Sequence, residues 1–296
     1  MCRSSVVIVL VAVIVTPVLA DMAHAQPWEI EVATTRLNNH QGPYFQVAVN
    51  PDGVVGLAYQ DRVGDDYLLY FAERSVEGIW SAPELVNPTP SSFNLAFALA
   101  YSPLPPYEAA LFFVPANSRA HYFARRLDAT WSVETVEERG TRLDREVDLS
   151  FAPDGTPWVV YGERRDRGVT IAHKEGASWA KETLESRYMQ RKSIAVGPQW
   201  IPNPAIAFGS TEVHYAESSG GWDDELVSDL PGDLFNYLSV ATDPLDGTPT
   251  VLYEHHDLWG YRLARRDSTR VWSHEDSPIA DRGCSRGASA LLEVLQ

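Results

Sequence analysis

The chain has 296 residues, 45% of them hydrophobic, with a formal net charge of −16. That balance argues against nucleic acid and against anionic membrane surfaces, both of which attract basic proteins. The two cysteines, Cys2 and Cys284, offer neither a disulfide framework nor a cysteine metal site.

The N-terminus reads as an export signal. A short basic start at Arg3 precedes an apolar run from Val6 to Val15, and the small-x-small site Ala23-His24-Ala25 follows. The run is short for a membrane span, which needs about 20 residues. The expectation is a signal peptide over 1–25 and one domain over 26–296, periplasmic or extracellular, with no membrane span after cleavage. Cys2 leaves with the signal, so Cys284 is expected to be a free bystander thiol.

Beyond the signal the chain repeats. Trp28, Trp80, Trp131, Trp179, Trp222 and Trp272 recur at separations of 52, 51, 48, 43 and 50 residues. Each is followed by a glutamate: Glu31, Glu84, Glu134, Glu182, Glu225 and Glu275. Ahead of the last five tryptophans lies an aligned alanine, in Tyr70-Phe71-Ala72-Glu73-Arg74, Tyr122-Phe123-Ala124-Arg125-Arg126, Thr170-Ile171-Ala172-His173-Lys174, His214-Tyr215-Ala216-Glu217 and Arg262-Leu263-Ala264-Arg265-Arg266. Earlier still comes a hairpin signal, clearest in Asn50-Pro51-Asp52-Gly53 and Ala152-Pro153-Asp154-Gly155. Proline pre-sets φ there, and glycine tolerates the positive φ of a tight turn.

Each unit therefore predicts four short antiparallel strands. In the first copy these are A (Phe45 to Val49), B (Val54 to Tyr59), C (Leu68 to Ala72) and D (Trp80 to Val86). Four-stranded repeats of this period predict an all-β fold, a β-propeller of about five blades. The strand-C alanines leave room for large residues of the neighbouring sheet. The repeated tryptophans, and the aromatics Tyr59, Phe112, Tyr161, Phe208 and Tyr253 that close strand B, are expected to fill the core. Trp28 opens a strand D without A, B or C before it, and Gly287 to Leu295 reads as a lone strand A. Five blades with loose ends and an incomplete sixth blade both fit.

Function is expected on the face shared by the B-to-C turns and D-to-A links, because loops carry function on a rigid scaffold. The B-to-C turns hold Asp61 and Arg62, Glu163 and Arg164, and Glu254 and His255; the links add Arg145 and Arg191. These eight are the candidate ligand-binding residues, forming either a mutually neutralised rim or a polar pocket. His255 and His256 point to opposite faces of a strand, so a shared metal is not expected. No catalytic motif and no cofactor loop is present in the sequence.

The unit seen in Ala152 to Tyr161, Tyr122 to Arg126 and Trp131 to Val136 resembles the repeats of bacterial secreted propellers of the broad sialidase-like class. An intact aspartate box, Ser-x-Asp-x-Gly-x-x-Trp, is not present. The resemblance implies an arginine triad with a tyrosine and glutamate pair, for which Arg145, Arg191, Tyr188 and Glu163 match by residue type. The reading that follows is a ligand-binding module for carbohydrate, peptide or protein, with a glycan-active hydrolase or lyase as the alternative.

Overall fold

The computed structural model describes residues 9–10, 30–31, 45–87, 96–115, 118, 120–138, 147–162, 168–185, 189, 191–198, 203–218, 221–228, 237–255 and 260–280. Near the N-terminus, β1 (Val9–Leu10) pairs antiparallel with β2 (Ile30–Glu31). The other twenty strands form five four-stranded antiparallel sheets, the blades. Blade 1 is β3 (Phe45–Val49), β4 (Val55–Val63), β5 (Asp66–Arg74) and β6 (Glu84–Leu85). Blade 2 is β7 (Ala96–Tyr101), β8 (Ala109–Val114), β9 (His121–Leu127) and β10 (Thr130–Glu137). Blade 3 is β11 (Asp148–Phe151), β12 (Pro157–Gly162), β13 (Val169–Glu175) and β14 (Ser178–Glu185). Blade 4 is β15 (Arg191–Val196), β16 (Pro204–Gly209), β17 (Val213–Ser218) and β18 (Trp222–Leu226). Blade 5 is β19 (Leu238–Thr242), β20 (Pro249–His255), β21 (Gly260–Arg266) and β22 (Trp272–Ala280).

Within each blade the strands pair in sequence order, A to B to C to D, as their hairpin turns require. The A-to-B turns follow the sequence. Gly53 and Gly155 both adopt φ of +83°, a conformation that costs an L side chain energy but not glycine. Asn50 Oδ1 closes the first turn by accepting from the Asp52 and Val54 amides.

Consecutive blades stack through their A strands: β3 on β7, β7 on β11, β11 on β15 and β15 on β19. Among the described residues, β19 and β3 do not pack on each other in this way. The segments bearing on a sixth blade, apart from β1 and β2, lie outside the described residues, as does most of the expected signal peptide.

The core sits between blades. The five strand-C alanines (Ala72, Ala124, Ala172, Ala216 and Ala264) are buried, and so are the strand-B aromatics. A fully buried side chain of that size contributes about 2–3 kcal/mol. Near the inner strands a polar string ties three blades together. Ser193 Oγ donates to Asp148 Oδ2 at 2.7 Å, the Ile194 amide donates to the same oxygen at 2.9 Å, and Ser193 Oγ accepts from the Val240 amide at 3.1 Å. Burial raises the Asp148 carboxyl above its ordinary range, although these bonds pull the other way.

The repeated tryptophans pack against these cores, as expected, but at their edge. Trp80, Trp131, Trp179, Trp222 and Trp272 are only partly buried. An indole carries an N–H that needs an acceptor. At three blade junctions that acceptor is a glutamate of the preceding blade.

Candidate functional site

The junction chemistry follows from strand register. Side chains alternate across a sheet, so the residue two places after each strand-C alanine faces the preceding blade, as that alanine does. It also lies directly across from the tryptophan: Arg126 opposite Trp131, Lys174 opposite Trp179, Ser218 opposite Trp222 and Arg266 opposite Trp272. The preceding blade contributes the glutamate of its strand D.

Between blades 1 and 2, Arg126 grips Glu84 with two parallel bonds, Nε to Oε2 at 2.9 Å and Nη2 to Oε1 at 2.8 Å. Its Nη1 donates to Glu73 Oε2 at 2.7 Å, and Trp131 Nε1 donates to Glu84 Oε2 at 3.1 Å. Tyr101 Oη donates to Glu73 Oε1 at 3.0 Å. Burial and the Glu73 charge push the phenol's pKa up, which keeps it a donor.

Blades 2 and 3 use a lysine. Lys174 Nζ donates to both oxygens of Glu134, at 2.6 and 2.5 Å, and Trp179 Nε1 donates to Glu134 Oε1 at 3.1 Å. The ammonium lies 5.4 Å from the Trp179 ring centroid, within cation–π range.

Blades 4 and 5 return to arginine. Arg266 bonds Glu217 at 2.7 Å and Glu225 at 3.1 Å, while Trp272 Nε1 donates to Glu225 Oε2 at 3.1 Å. Arg270 Nη2 adds a bond to Glu217 Oε1 at 2.8 Å. Burial alone would raise the Glu217 carboxyl, but Arg266, Tyr215 and Arg270 outweigh it and hold the pKa below the usual value.

The junction of blades 3 and 4 differs. Ser218 stands at the cation position, and Ile171 replaces the aromatic that Phe71, Phe123 or Tyr215 supplies elsewhere. The indole Nε1 of Trp222 is buried without a hydrogen-bond partner. Glu182 is exposed. A half-open cleft of about 240 Å³ lies here, lined by Glu182, Thr183, Leu184, Phe208, Trp222 and Asp224. Beside it His214 stacks on Phe208 (5.5 Å, 14°), its Nδ1 lying 3.0 Å from Asp224 Oδ1.

Of the eight candidates expected on the loop face, five fall among the described residues, and these lie on strands. Asp61 and Arg62 are not in a turn. Strand β4 runs on to Val63, and the hairpin is the two-residue Gly64–Asp65, because Asp61 and Arg62 pair in register with Leu68 and Tyr67. Asp61 is buried and accepts from the Arg62 amide at 2.8 Å. The Arg62 guanidinium reaches Asp65 at 3.1 Å and lies 5.9 Å from the Tyr67 ring centroid. Glu254 and His255 likewise lie on strand β20, opposite Tyr261 and Gly260. Arg191 opens β15, opposite Gly209. These positions share one end of the blades but belong to blades 1, 4 and 5. Arg145, Glu163 and Arg164 fall outside the described residues, as does Tyr188, and only the backbone of His255 is described. Among the described residues, no group of three or more His, Cys, Asp or Glu side chains is placed to hold a metal ion, and no helix is long and apolar enough to cross a membrane.

Solved structures share this architecture. The fungal lectin of Aleuria aurantia, described as a six-bladed β-propeller, aligns with a TM-score of 0.61 at 13% identity, over 87% of this chain and 86% of that one. AofleA of Arthrobotrys oligospora aligns at 0.61 and 10% identity, over 86% and 78%. The SapL1 lectin in complex with alpha methyl fucoside aligns at 0.56 and 12% identity, over 87% and 88%. The fold is a β-propeller. No family model matches the chain, and no curated protein sequence matches it.

Sequence reasoning saw the tryptophan and glutamate landmarks but assigned the tryptophans to packing. The cation two places after the alanine was visible in the same segments. It gains meaning once two blades are placed face to face.

Proposed function

We propose that this chain is an exported, lectin-like propeller that binds carbohydrate at its blade junctions. Export rests on the apolar run from Val6 to Val15 and the small-residue site after it. The observation that carries the binding reading is the recurrence, at the half-buried edge of three of the four described junctions, of a carboxylate, a cation and an indole N–H from two blades. Vicinal sugar hydroxyls need acceptors and donors side by side, and charged partners make the stronger hydrogen bonds. Indole and phenyl rings beside them suit the apolar faces of a sugar. The likeness in fold to propeller lectins, two of them solved with fucosides, supports the choice of ligand class. Repetition around the ring turns weak single sites into avidity.

A glycan array followed by calorimetric titration of monosaccharides, L-fucose among them, tests the reading. Binding with more than one site per chain is expected, and Glu84→Gln and Glu225→Gln should each lower the site number. Absence of glycan binding would overturn the proposal. Binding that survives both variants but is lost in Asp61→Asn or Glu254→Gln would move the ligand to the loop face.

A further inference from the structure

We infer that the junction of blades 3 and 4 selects a sugar bearing a protonated amine, an amino sugar of the glucosamine type, which supplies the cation that the chain itself supplies at its other junctions. The inference rests on the carbohydrate reading and deepens it at one site.

The molecule contains its own template. At three junctions a cation of the chain lies against the glutamate of the preceding blade and beside the partner blade's indole. Lys174 shows that a primary ammonium suffices, bonding both oxygens of Glu134 while lying 5.4 Å from the Trp179 ring. At the fourth junction the backbone register is kept, with Ser218 opposite Trp222 and Glu182 opposite Ile171. The chain's cation is not kept.

Three features of that cleft point to the ligand. Glu182 and Asp224 put two carboxylates on its walls. Trp222 brings an indole N–H that is buried and unbonded, a cost that an acceptor such as a sugar hydroxyl removes. Phe208 and Leu184 add apolar wall for a ring face. Among the described residues, the basic groups on the neighbouring strands are already engaged. Lys181 points to the other face of its sheet and bonds Glu137 at 2.6 Å. His173 Nε2 lies 3.1 Å from Glu175 Oε1, and His214 Nδ1 lies 3.0 Å from Asp224 Oδ1. A volume of about 240 Å³ is room for several waters or one small ring. The overall charge of −16 favours the approach of a cation.

Calorimetry and tryptophan fluorescence on the full chain, at about pH 6 where an amine of this class is protonated, test the inference with glucosamine, glucose, N-acetylglucosamine and ethanolamine. Glucosamine should bind at least roughly tenfold more tightly than glucose or N-acetylglucosamine, the scale of a charge-assisted bond. Glu182→Gln should remove that preference. Ser218→Arg, which places a guanidinium in the same position, should remove glucosamine binding here while leaving neutral-sugar binding elsewhere intact. Neutral sugars binding with no glucosamine preference would overturn this inference and leave the carbohydrate reading standing. Ethanolamine binding as tightly as glucosamine would overturn the amino-sugar assignment, since the ring would then contribute nothing. No sugar binding of any kind would overturn both.

Discussion

The junctions before and after blade 4 use the same strands and the same tryptophan, yet their chemistry is opposite. After blade 4, Arg266 is nearly enclosed, with 9% of its side chain exposed, and it joins Glu217, Glu225 and the edge of Trp272 into one satisfied unit. Before blade 4, Ser218 is too short to reach across. Glu182 stays in solvent, Trp222 keeps an unbonded N–H, and a cleft remains. One side chain, two residues past a buried alanine, decides whether a junction is sealed by a cation of the chain or left unsealed. The difference is one of cross-linking: Arg266 ties blade 5 to both glutamates of blade 4, whereas Ser218, at the same register position, ties blade 4 to nothing on blade 3 in this way.

The largest effect is expected from unsealing a sealed junction. Arg266→Met removes the enclosed cation that joins Glu217 and Glu225 and leaves the half-exposed Arg270 as their remaining partner. Breaking a fully buried pair costs about 3–5 kcal/mol, and the partial exposure of both glutamates and the remaining Arg270 put this one at the low end. Taking the lower figure, with about 2–4 °C per kcal/mol for a chain of this size, the melting temperature should fall by roughly 6–12 °C. Ser218→Ala, at the matching position before blade 4, should change it little. Equal effects in the two thermal melts would break the comparison.

Acid acts on two of the sealed junctions, those between blades 4 and 5 and between blades 2 and 3. The Glu217 carboxyl has a lowered pKa in the folded chain. Its contribution is therefore complete above the ordinary value of 4.5 and is lost as pH falls through the lower folded value. His121, between blades 2 and 3, acts earlier. Burial pushes its pKa from 6.5 down to about 4, with Glu137 partly opposing. Between those values the unfolded chain binds the extra proton, so stability falls by up to roughly 3 kcal/mol as pH drops from 6.5 towards 4. Urea melts across this range should show the His121 slope in the wild type and lose it in His121→Phe. Glu217→Gln should keep that slope and flatten the curve only below about pH 4.5. A Glu217→Gln curve that still falls in parallel with the wild type there would mean that this junction does not titrate as described.

Much of the fold was legible in the sequence, because repetition exposes what each blade must do alone. The turn glycines, the strand-C alanines and the strand-B aromatics are demands of a single sheet or of its packing, and they recur at fixed places. The tryptophans do pack against the cores, but their hydrogen-bonding role was missed for a physical reason. Hydrophobic bulk and a hydrogen-bond donor share one side chain, and the acceptor lies some 45 residues away on another blade, as for Trp131 and Glu84 or Trp179 and Glu134. The B-to-C turns of blades 1 and 5 were placed too early for a different reason. Asp61 and Arg62 look like turn residues by composition, but a two-residue hairpin at Gly64–Asp65 lets the strands run on through them. The substitution of Ser218 for a cation was plain in the aligned segments. Its consequence was not, because it is a property of two facing sheets.

The smallest effect runs the other way, sealing the open junction. Ser218 occupies the same register position as Arg266, directly across from the tryptophan, so an arginine there starts from the backbone position that serves the sealed junctions. Its guanidinium would meet Glu182, which is exposed, so solvent screens the pair and the side chain loses rotamer freedom. Ser218→Arg should therefore stabilise the chain by only about 0.5 kcal/mol, far less than Arg266→Met costs. A double-mutant cycle with Glu182→Gln isolates that gain. A positive coupling would show that the two junctions differ by one cation. No coupling, with the fold intact, would mean that the replacement of an aromatic by Ile171 also prevents the clamp from forming. Adding Ile171→Phe to Ser218→Arg should then restore the coupling, since the sealed arginines lie over such rings, Arg126 at 5.7 Å from Phe71 and Arg266 at 4.8 Å from Tyr215.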